Sequence, residues 1–478
     1  MRKFTAVHPI LLATALSLMA ACSSGTVASQ PGEGSSATGS AAATVDPSKI
    51  SGLDIVSDNS EQSSCPYATS YPAVPGAAAM TAAMKHDVDR RLAEFRASAC
   101  QPGSNSAAEQ GPELNISHEF LVASGDVLGV RLSTQDRSTS VGDGLSTRTY
   151  WYDGKTGTYR TALGLIADGS RDAFVSALKK ELRRREGVVA STLDAALDDP
   201  ANRAAAVDDL AFTSDGGLRV SFDRGEVGVP AAGRYTVTFS EKTATAWLSA
   251  FGKRAQRQSV HPDAHLDVGA TSTPAESAPA QAAVGDDNTD CKKVKCVALT
   301  FDDGPAAPET STLLTYLAQY KARVTFFTVG QNVVAHPDLV RAEAKAGHEV
   351  GNHSWNHPDL TRLSTREIRY QLNRTSAAIK AATGKAPTLF RPPYGAVDAK
   401  VTAATTLSPV LWNVDTEDWK YPDAKKVAAT VISKVSRNDV VLMHDIHPTS
   451  VAAVPEILRV LTARGYHFVT VSHLRATD

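Results

Sequence analysis

Residues 297–305 read Val-Ala-Leu-Thr-Phe-Asp-Asp-Gly-Pro, a strand-forming run that ends in two adjacent carboxylates and a turn. Neighbouring carboxylates at the end of an apolar strand are costly unless a metal, a cation or a proton-transfer role uses their charge. Asp302 and Asp303 could equally cap a turn or the following helix, because Asp before Gly is common in turns. The sequence downstream therefore decides between a structural and a chemical interpretation of the pair.

The chain after Cys291 alternates strand-like runs with helical ones. Seven runs predict strands, namely Val297–Phe301, Val324–Val329, His348–Gly351, Leu389–Arg391, Val410–Val414, Val440–His444 and His467–Val471. The clearest helix is predicted over Ser364–Thr383, where Ser364 and Glu367 form a capping box and Gly384 follows the end. This alternation predicts an α/β fold with a parallel sheet, open or closed into a barrel, whose chemistry lies at the carboxyl ends of the strands.

Polar residues of this half follow the predicted strands at one and the same end. In chain order they are Asp302 and Asp303, His353 and His357, Arg391, Asp415 and Asp418, and His444. Independent surface residues would scatter over both ends of the strands. The arrangement therefore favours one shared site.

Two histidines stand four residues apart in the segment His353–His357, which reads His-Ser-Trp-Asn-His. This spacing brings both imidazoles to one face if the segment turns helically. With one carboxylate they form a two-histidine, one-carboxylate set, which leaves metal positions open for water or substrate. We therefore predict a divalent metal site, with Zn2+ as the default ion, although the set also suits other divalent ions.

Five ordered segments carry a family resemblance. They are Thr300–Pro305, His353–His357, Arg391–Tyr394, Asp415–Trp419 and Leu442–His444. Together they resemble the motifs of polysaccharide deacetylases with the NodB homology domain, carbohydrate esterase family 4. The resemblance covers residues 291–478 and implies a distorted (β/α)7 barrel, in agreement with the strand count. It also implies metal-dependent hydrolysis of N-acetyl groups from amino sugars.

The resemblance implies a role for each matching position around the metal. Asp303, His353 and His357 would hold the ion, and Asp302 would be the general base that accepts a proton from the attacking water. Arg391 would hold Asp302 ionised and oriented. A structural ion pair is the alternative for the arginine.

On the substrate side, the resemblance implies that His444 protonates the leaving amine and that Asp418 keeps His444 protonated. The backbone N–H of Tyr394 would stabilise the oxyanion, and Trp419 and Leu442 would line the acetyl pocket. The alternative for Asp418 is that it belongs to a structural ion pair. The alternative for Trp419 and Leu442 is that they are ordinary core residues. We expect Asp415 to order its loop, and His447, His467 and His473 to be structural or surface residues.

The amino terminus carries an export signal. Met1-Arg2-Lys3 precedes an apolar run from Ile10 to Ala21, which is too short to span a membrane. The residues 18–22, Leu-Met-Ala-Ala-Cys, resemble a bacterial lipobox, which implies that Cys22 is lipidated; an ordinary secretory signal cleaved near Ala21 is the alternative. We expect an exported protein, anchored to the cell membrane by lipid and facing the cell wall.

Composition divides the chain into five segments. We predict a lipoprotein signal peptide over 1–21, a disordered tether over 22–62, an α+β accessory domain over 63–255, a linker over 256–290 and the deacetylase domain over 291–478. The tether and the linker have few large apolar residues and bury too little surface to fold. Within the accessory domain, an amphipathic helix is predicted over Arg171–Arg185.

The accessory domain has a looser resemblance of its own. The turn 152–157, Tyr-Asp-Gly-Lys-Thr-Gly, the helix after it and the segment 222–233 are similar to an extracellular domain of certain anti-sigma factors. The same domain type precedes the catalytic domain in some peptidoglycan deacetylases. In the anti-sigma setting it binds lysozyme.

Apart from Cys22, the chain has four cysteines, an even number in a protein that enters an oxidising compartment. Proximity in sequence suggests Cys65 with Cys100 and Cys291 with Cys296, although four cysteines allow three pairings. No Cys-x-x-Cys spacing is present, which argues against a zinc knuckle. We therefore predict disulfides.

The net charge of -2 gives no basic field for nucleic acid. We expect peptidoglycan N-deacetylation, because an outward-facing tether places the enzyme beside that polymer. Chitin oligomers and acetylated xylan are alternative substrates, and the motifs do not separate N-acetylglucosamine from N-acetylmuramic acid. An alternative of another class is a cell-wall or lysozyme-sensing binding lipoprotein. The sequence gives no information on the oligomeric state.

Overall fold

The structure is a computed structural model that describes residues 45–60, 64–100, 111–138, 144–269 and 289–477. The predicted signal peptide, Cys22 and most of the predicted tether lie outside these residues. In the described part of the chain, no helix has both the length and the hydropathy needed to cross a bilayer.

The amino-terminal half is an α+β arrangement built on a six-stranded mixed sheet. Its strands β1–β6 are Asp54–Ser60, Tyr67–Ala73, Leu114–Ser124, Val127–Asp136, Leu145–Asp153 and Thr158–Thr161. Helix α1 (Ala78–Ala99) lies between β2 and β3 in the chain, and these two strands pair in parallel. Met80, Met84 and Phe95 of α1 are fully buried in the core beside this sheet.

A second layer of the same half contains helices and a small antiparallel sheet. Its helices α2–α6 are Arg171–Leu182, Ala190–Asp198, Pro200–Ala206, Glu241–Thr245 and Ala250–Val260, and its strands β7–β9 are Asp209–Phe212, Leu218–Phe222 and Tyr235–Phe239. The predicted apolar face of α2, formed by Phe174, Leu178 and Leu182, is completely buried.

The carboxyl-terminal half is a curled parallel sheet surrounded by helices, which confirms the predicted α/β fold. Its strands β10–β17 are Lys295–Asp302, Thr325–Thr328, Glu349–Asn352, Leu389–Phe390, Ser408–Pro409, Val414–Asp415, Asp439–His444 and Tyr466–Phe468. Its helices α7–α14 are Glu309–Gln319, Gly330–Ala335, Pro337–Lys345, Thr365–Thr383, Ala399–Ala403, Ala424–Lys434, Pro448–Ala463 and Val471–Thr477. The predicted capping box forms at the start of α10, where Ser364 and Glu367 exchange hydrogen bonds.

One predicted strand, Val410–Val414, is wrong as a single element. The strand order is β14-β13-β12-β11-β10-β16-β15, so the segment between β14 and β15 passes from one edge of the sheet to the other. The Val410 N–H donates to Phe390 O at 2.9 Å, and the Asn413 N–H donates to Val440 O at 2.8 Å. Residues 410–413 thus join the two edges of a half-barrel, and complete closure into a (β/α)7 barrel stays a prediction.

Several predicted boundaries also move. The tether prediction is wrong for β1, whose seven residues pair with β2. Although the composition of this segment is polar, Ile55 and the preceding Leu53 are buried, and this burial stabilises the strand. Helix α6 continues past the predicted start of the linker, and Val268 is buried in the same core as α1. The described residues all belong to one compact unit. The division into accessory and deacetylase domains stays a prediction.

Both disulfides that proximity in sequence suggested are present. Cys65 pairs with Cys100, and Cys291 pairs with Cys296, with Cα–Cα distances of 5.5 Å and 5.4 Å. The first closes the segment that contains β2 and α1. The second joins the segment before β10 to Cys296 in the strand itself, and both of its cysteines are fully buried.

Candidate active site

The parallel sheet gathers the predicted site residues at the carboxyl ends of its strands. Strands β10 and β16 run side by side in a register that places Asp302 opposite His444. Strand β12 ends at Asn352, directly before His353, and β13 ends directly before Arg391. The predicted clustering at one end of the sheet is therefore present.

Three residues converge as a potential metal-binding group. One ligand atom each from Asp303, His353 and His357 lies within 4.8 Å of the other two. Asp303 Oδ1 is 3.5 Å from His353 Nε2 and 3.6 Å from His357 Nε2. The spacing of the histidines suggested a helical turn between them, but the segment is not helical. Ser354 and His357 have left-handed φ values of 65° and 58°.

The chemistry of this group fits a divalent cation. Among the described residues, the buried atoms Asp303 Oδ1 and His353 Nε2 have no hydrogen-bond partner. His353 Nδ1 donates to Arg391 O at 2.7 Å, which leaves Nε2 available as a ligand atom. Burial and the neighbouring His357 hold the pKa of His353 well below its usual value, so the imidazole is neutral, as a metal ligand must be.

The adjacent carboxylate, Asp302, faces a different partner. Arg391 Nη1 donates to Asp302 Oδ1 at 2.8 Å and to Thr300 Oγ1 at 2.7 Å. Asp302 Oδ2 lies 3.7 Å from His353 Nε2, next to the potential metal site. A fully buried guanidinium beside a carboxylate favours the ionised form of the acid.

His444 and Asp418 form a buried pair on the other side of the site. Asp418 Oδ1 accepts from His444 Nδ1 at 2.8 Å, and Asp418 Oδ2 accepts from the His444 backbone N–H at 2.9 Å. Burial raises the pKa of Asp418, but the charge and hydrogen bond of His444 outweigh it and lower the pKa to about 2. His444 Nε2 points toward Asp303, with 4.0 Å to Oδ2.

The predicted substrate-binding residues lie beside these groups. Tyr394 has a left-handed backbone, with φ 60°, and its ring centroid is 4.7 Å from that of His357. The backbone N–H of Trp419 donates to Asp418 Oδ1 at 3.1 Å. Leu442 is buried two residues before His444 in β16, so both side chains point to one face of the sheet. The lining of an acetyl pocket by Trp419 and Leu442 stays a prediction.

Three further residues lie at this site, although no pattern in the sequence placed them there. Asn332 Nδ2 donates to Asp303 O at 2.7 Å, and the Asn59 side-chain amide donates to Asp303 Oδ2. His447 is half-buried, with its ring centroid 5.8 Å from that of His444, and its expected structural or surface role stays a prediction. None of the three belongs to a motif, and Asn59 is 244 positions from its partner, so no local pattern could have found it.

We expect Asn332→Ala to weaken the binding of a divalent ion about tenfold, because the Asn332 side chain anchors the backbone of Asp303, a predicted ligand. Titration of Zn2+ against a chromogenic chelator measures the affinity. Asn202→Ala is the matched control, since Asn202 is exposed on α4 and donates to Ala195 O. Equal affinities in the two variants would contradict the anchoring role.

Comparisons with known proteins cover the carboxyl-terminal half. A family model described as "Polysaccharide deacetylase" matches residues 289–408. The peptidoglycan-N-acetylglucosamine deacetylase PgdA of Listeria monocytogenes is 44% identical over 183 residues, which are 38% of this chain and 39% of that protein. The chain thus spans about two fifths of the length of this relative.

Two further relatives come from Bacillus species. The peptidoglycan-N-acetylmuramic acid deacetylase PdaC of Bacillus subtilis is 43% identical over 180 residues, 38% of this chain and 38% of that protein. A peptidoglycan-N-acetylglucosamine deacetylase of Bacillus cereus is 39% identical over 191 residues, 37% of this chain and 69% of that protein.

Proposed function

Because this chain belongs to the polysaccharide deacetylase family, we propose that it hydrolyses N-acetyl groups of cell-wall amino sugars with the help of a divalent metal ion. One observation carries the proposal: Asp303, His353 and His357 converge beside Asp302 and the His444–Asp418 pair. The names of the relatives support peptidoglycan as the polymer, and they include both of its amino sugars.

Water activation is the first step of the proposed reaction. A divalent ion held by Asp303, His353 and His357 would polarise the acetyl carbonyl and acidify a water molecule, and we propose Zn2+ as this ion. Asp302 accepts the proton of the attacking water. Arg391 keeps Asp302 ionised and fixes its orientation through the 2.8 Å hydrogen bond.

Expulsion of the amine is the second step. His444 donates a proton to the leaving nitrogen, since an amide does not expel an amide anion. Asp418 fixes the imidazole through Nδ1 and stabilises its protonated form. In the proposed site, the backbone N–H of Tyr394 donates to the oxyanion, and Trp419 and Leu442 surround the acetyl methyl group.

The test is acetate release by the full chain from purified peptidoglycan. We expect release that falls at least about tenfold after chelation and returns when Zn2+ is restored. Chitin oligomers and acetylated xylan are assayed in parallel, and faster release from either would replace peptidoglycan as the substrate class. No release from any of them by the metal-loaded protein would contradict the function.

We also propose that the protein is exported and held at the membrane by a lipid on Cys22. The lipobox-like residues 18–22 and a cell-wall substrate support this location. Cys22→Ala should move the protein from the membrane fraction to the medium, as cell fractionation measures. An unchanged membrane fraction would contradict the anchor.

A further inference from the structure

The amino-terminal half, that is the described residues from 45 to 269 and here called the accessory half, covers the carboxyl end of the deacetylase sheet. Several hydrogen bonds join the two halves. From donor to acceptor they include Asn115 Nδ2 to Asn356 O at 2.8 Å, Gln331 Nε2 to His118 O at 2.6 Å, the Asp359 N–H to Glu113 Oε1 at 2.8 Å and Arg362 Nη1 to Gly111 O at 2.9 Å. Their catalytic-half partners include Asn356, which lies between the two histidines of the potential metal site. The accessory half therefore contacts the deacetylase half at the mouth of the site.

Asn59, near the end of β1, reaches furthest into this mouth. Its side chain is buried, and its amide donates to Asp303 Oδ2. The other oxygen of the same carboxylate faces His353 and His357, while Oδ2 is 4.0 Å from His444 Nε2. Asn59 thus sits at the carboxylate oxygen nearest His444, where the proposed reaction needs room for an N-acetyl group.

A cavity that the described residues leave between the two halves is too small for a sugar. A cavity of about 30 Å³ is lined by residues of both halves, including Asn59, Ser70, Asp303 and His357. That volume holds a water molecule or two, whereas pockets for organic ligands are roughly tenfold larger or more. Asp302, Asp303, His353, His357 and His444 are each no more than 4% exposed. A polymer cannot reach these groups in this arrangement.

We propose that β1, β2 and β3, with residues 111–113 directly before β3, hold the enzyme in an autoinhibited form; these residues are here called the strap. The inference rests on the proposed function, since only a polymer-acting site needs this mouth open. Activity then requires the accessory half to move away from the deacetylase sheet, which breaks the contact between Asn59 and Asp303. The closed form also encloses the metal and slows its loss to solvent.

Two substitutions in the full chain test the strap. Asn59→Ala removes the contact with Asp303, and Arg362→Ala removes contacts with Gly111 and Glu113 at another part of the interface. The matched controls are Asn202→Ala and Arg184→Ala, which change exposed residues of the accessory half. The readouts are acetate release from N-acetylglucosamine oligomers, the rate of Zn2+ loss to a chelator, and hydrogen exchange of the β1 amides.

We expect both test variants to release acetate and to lose Zn2+ at least about fivefold faster than the parent, with faster exchange in β1 and controls within twofold. Arg362→Ala is decisive, because Asn59→Ala alone could speed metal loss by freeing Asp303. Unchanged metal loss and exchange in Arg362→Ala would overturn the strap, as would slower acetate release in both variants. If neither the parent nor either test variant releases acetate, the proposed function fails, while the rates of metal loss and of hydrogen exchange still test the strap.

Discussion

Asp302→Asn should lower acetate release about 10³-fold and leave the bound metal in place. The amide oxygen can still accept from Arg391, so the side chain keeps its position. The amide nitrogen would replace Asp302 Oδ2, the oxygen that lies 3.7 Å from His353 Nε2, and it cannot accept a proton. Acetate release under saturating Zn2+ measures the loss, and metal analysis after dialysis measures the occupancy.

The neighbouring substitution Asp303→Asn is the matched control for this prediction. Asp303 Oδ1 faces both histidines, so its replacement should reduce Zn2+ affinity as well as activity. The two variants differ by one position along the chain but should separate metal binding from proton transfer. Undiminished activity in Asp302→Asn, or metal loss equal to that of Asp303→Asn, would show that the assigned base is wrong.

The sequence predicted the arrangement of the deacetylase half because its strands are short apolar runs with polar residues at one end. Parallel pairing then brings those ends together, as Asp302 and His444 show in register on β10 and β16. Adjacency alone could not assign Asp302 and Asp303 to different partners. The directions in which the two side chains point depend on the left-handed backbone of Asp303, with φ 74°. No residue pattern specified this conformation.

The parts that the sequence did not predict depend on distant contacts. Strand β1 reads Asp-Ile-Val-Ser-Asp-Asn-Ser, which has a polar composition typical of a tether, yet it pairs along its length with β2. The apolar run Val410–Val414 has the composition of a strand, yet it crosses between two sheet edges and leaves Leu411 exposed. In both cases tertiary pairing outweighs local composition.

Asp418→Asn should lower acetate release at pH 7 about 10²-fold and shift its dependence on pH. Asp418 accepts His444 Nδ1–H with one oxygen and the His444 backbone N–H with the other. An amide has one acceptor atom, so in either orientation its NH2 group faces a donor. The imidazole therefore loses its orientation and the negative charge that stabilises its protonated form.

The direction of the pH shift follows from the same pair. The interaction that lowers the pKa of Asp418 to about 2, against the effect of burial, must equally favour the protonated state of its partner. His444 acts as an acid in the proposed reaction, so activity falls as rising pH removes its proton. Without the carboxylate this proton leaves more easily, and the alkaline decline of kcat/KM should begin about one pH unit lower.

Asp423→Asn provides the control for this profile. Asp423 caps α12 by accepting from the Lys425 N–H at 2.9 Å, and Asn caps a helix equally well. We expect this variant to keep the parent's profile and at least half of its activity. If Asp418→Asn also kept the parent's profile while folding normally by circular dichroism, the pair would be structural, and the proton for the leaving amine would have to come from another group. The orientation of His444 argues against that outcome, because its Nε2 points into the proposed reaction site, 4.0 Å from Asp303 Oδ2.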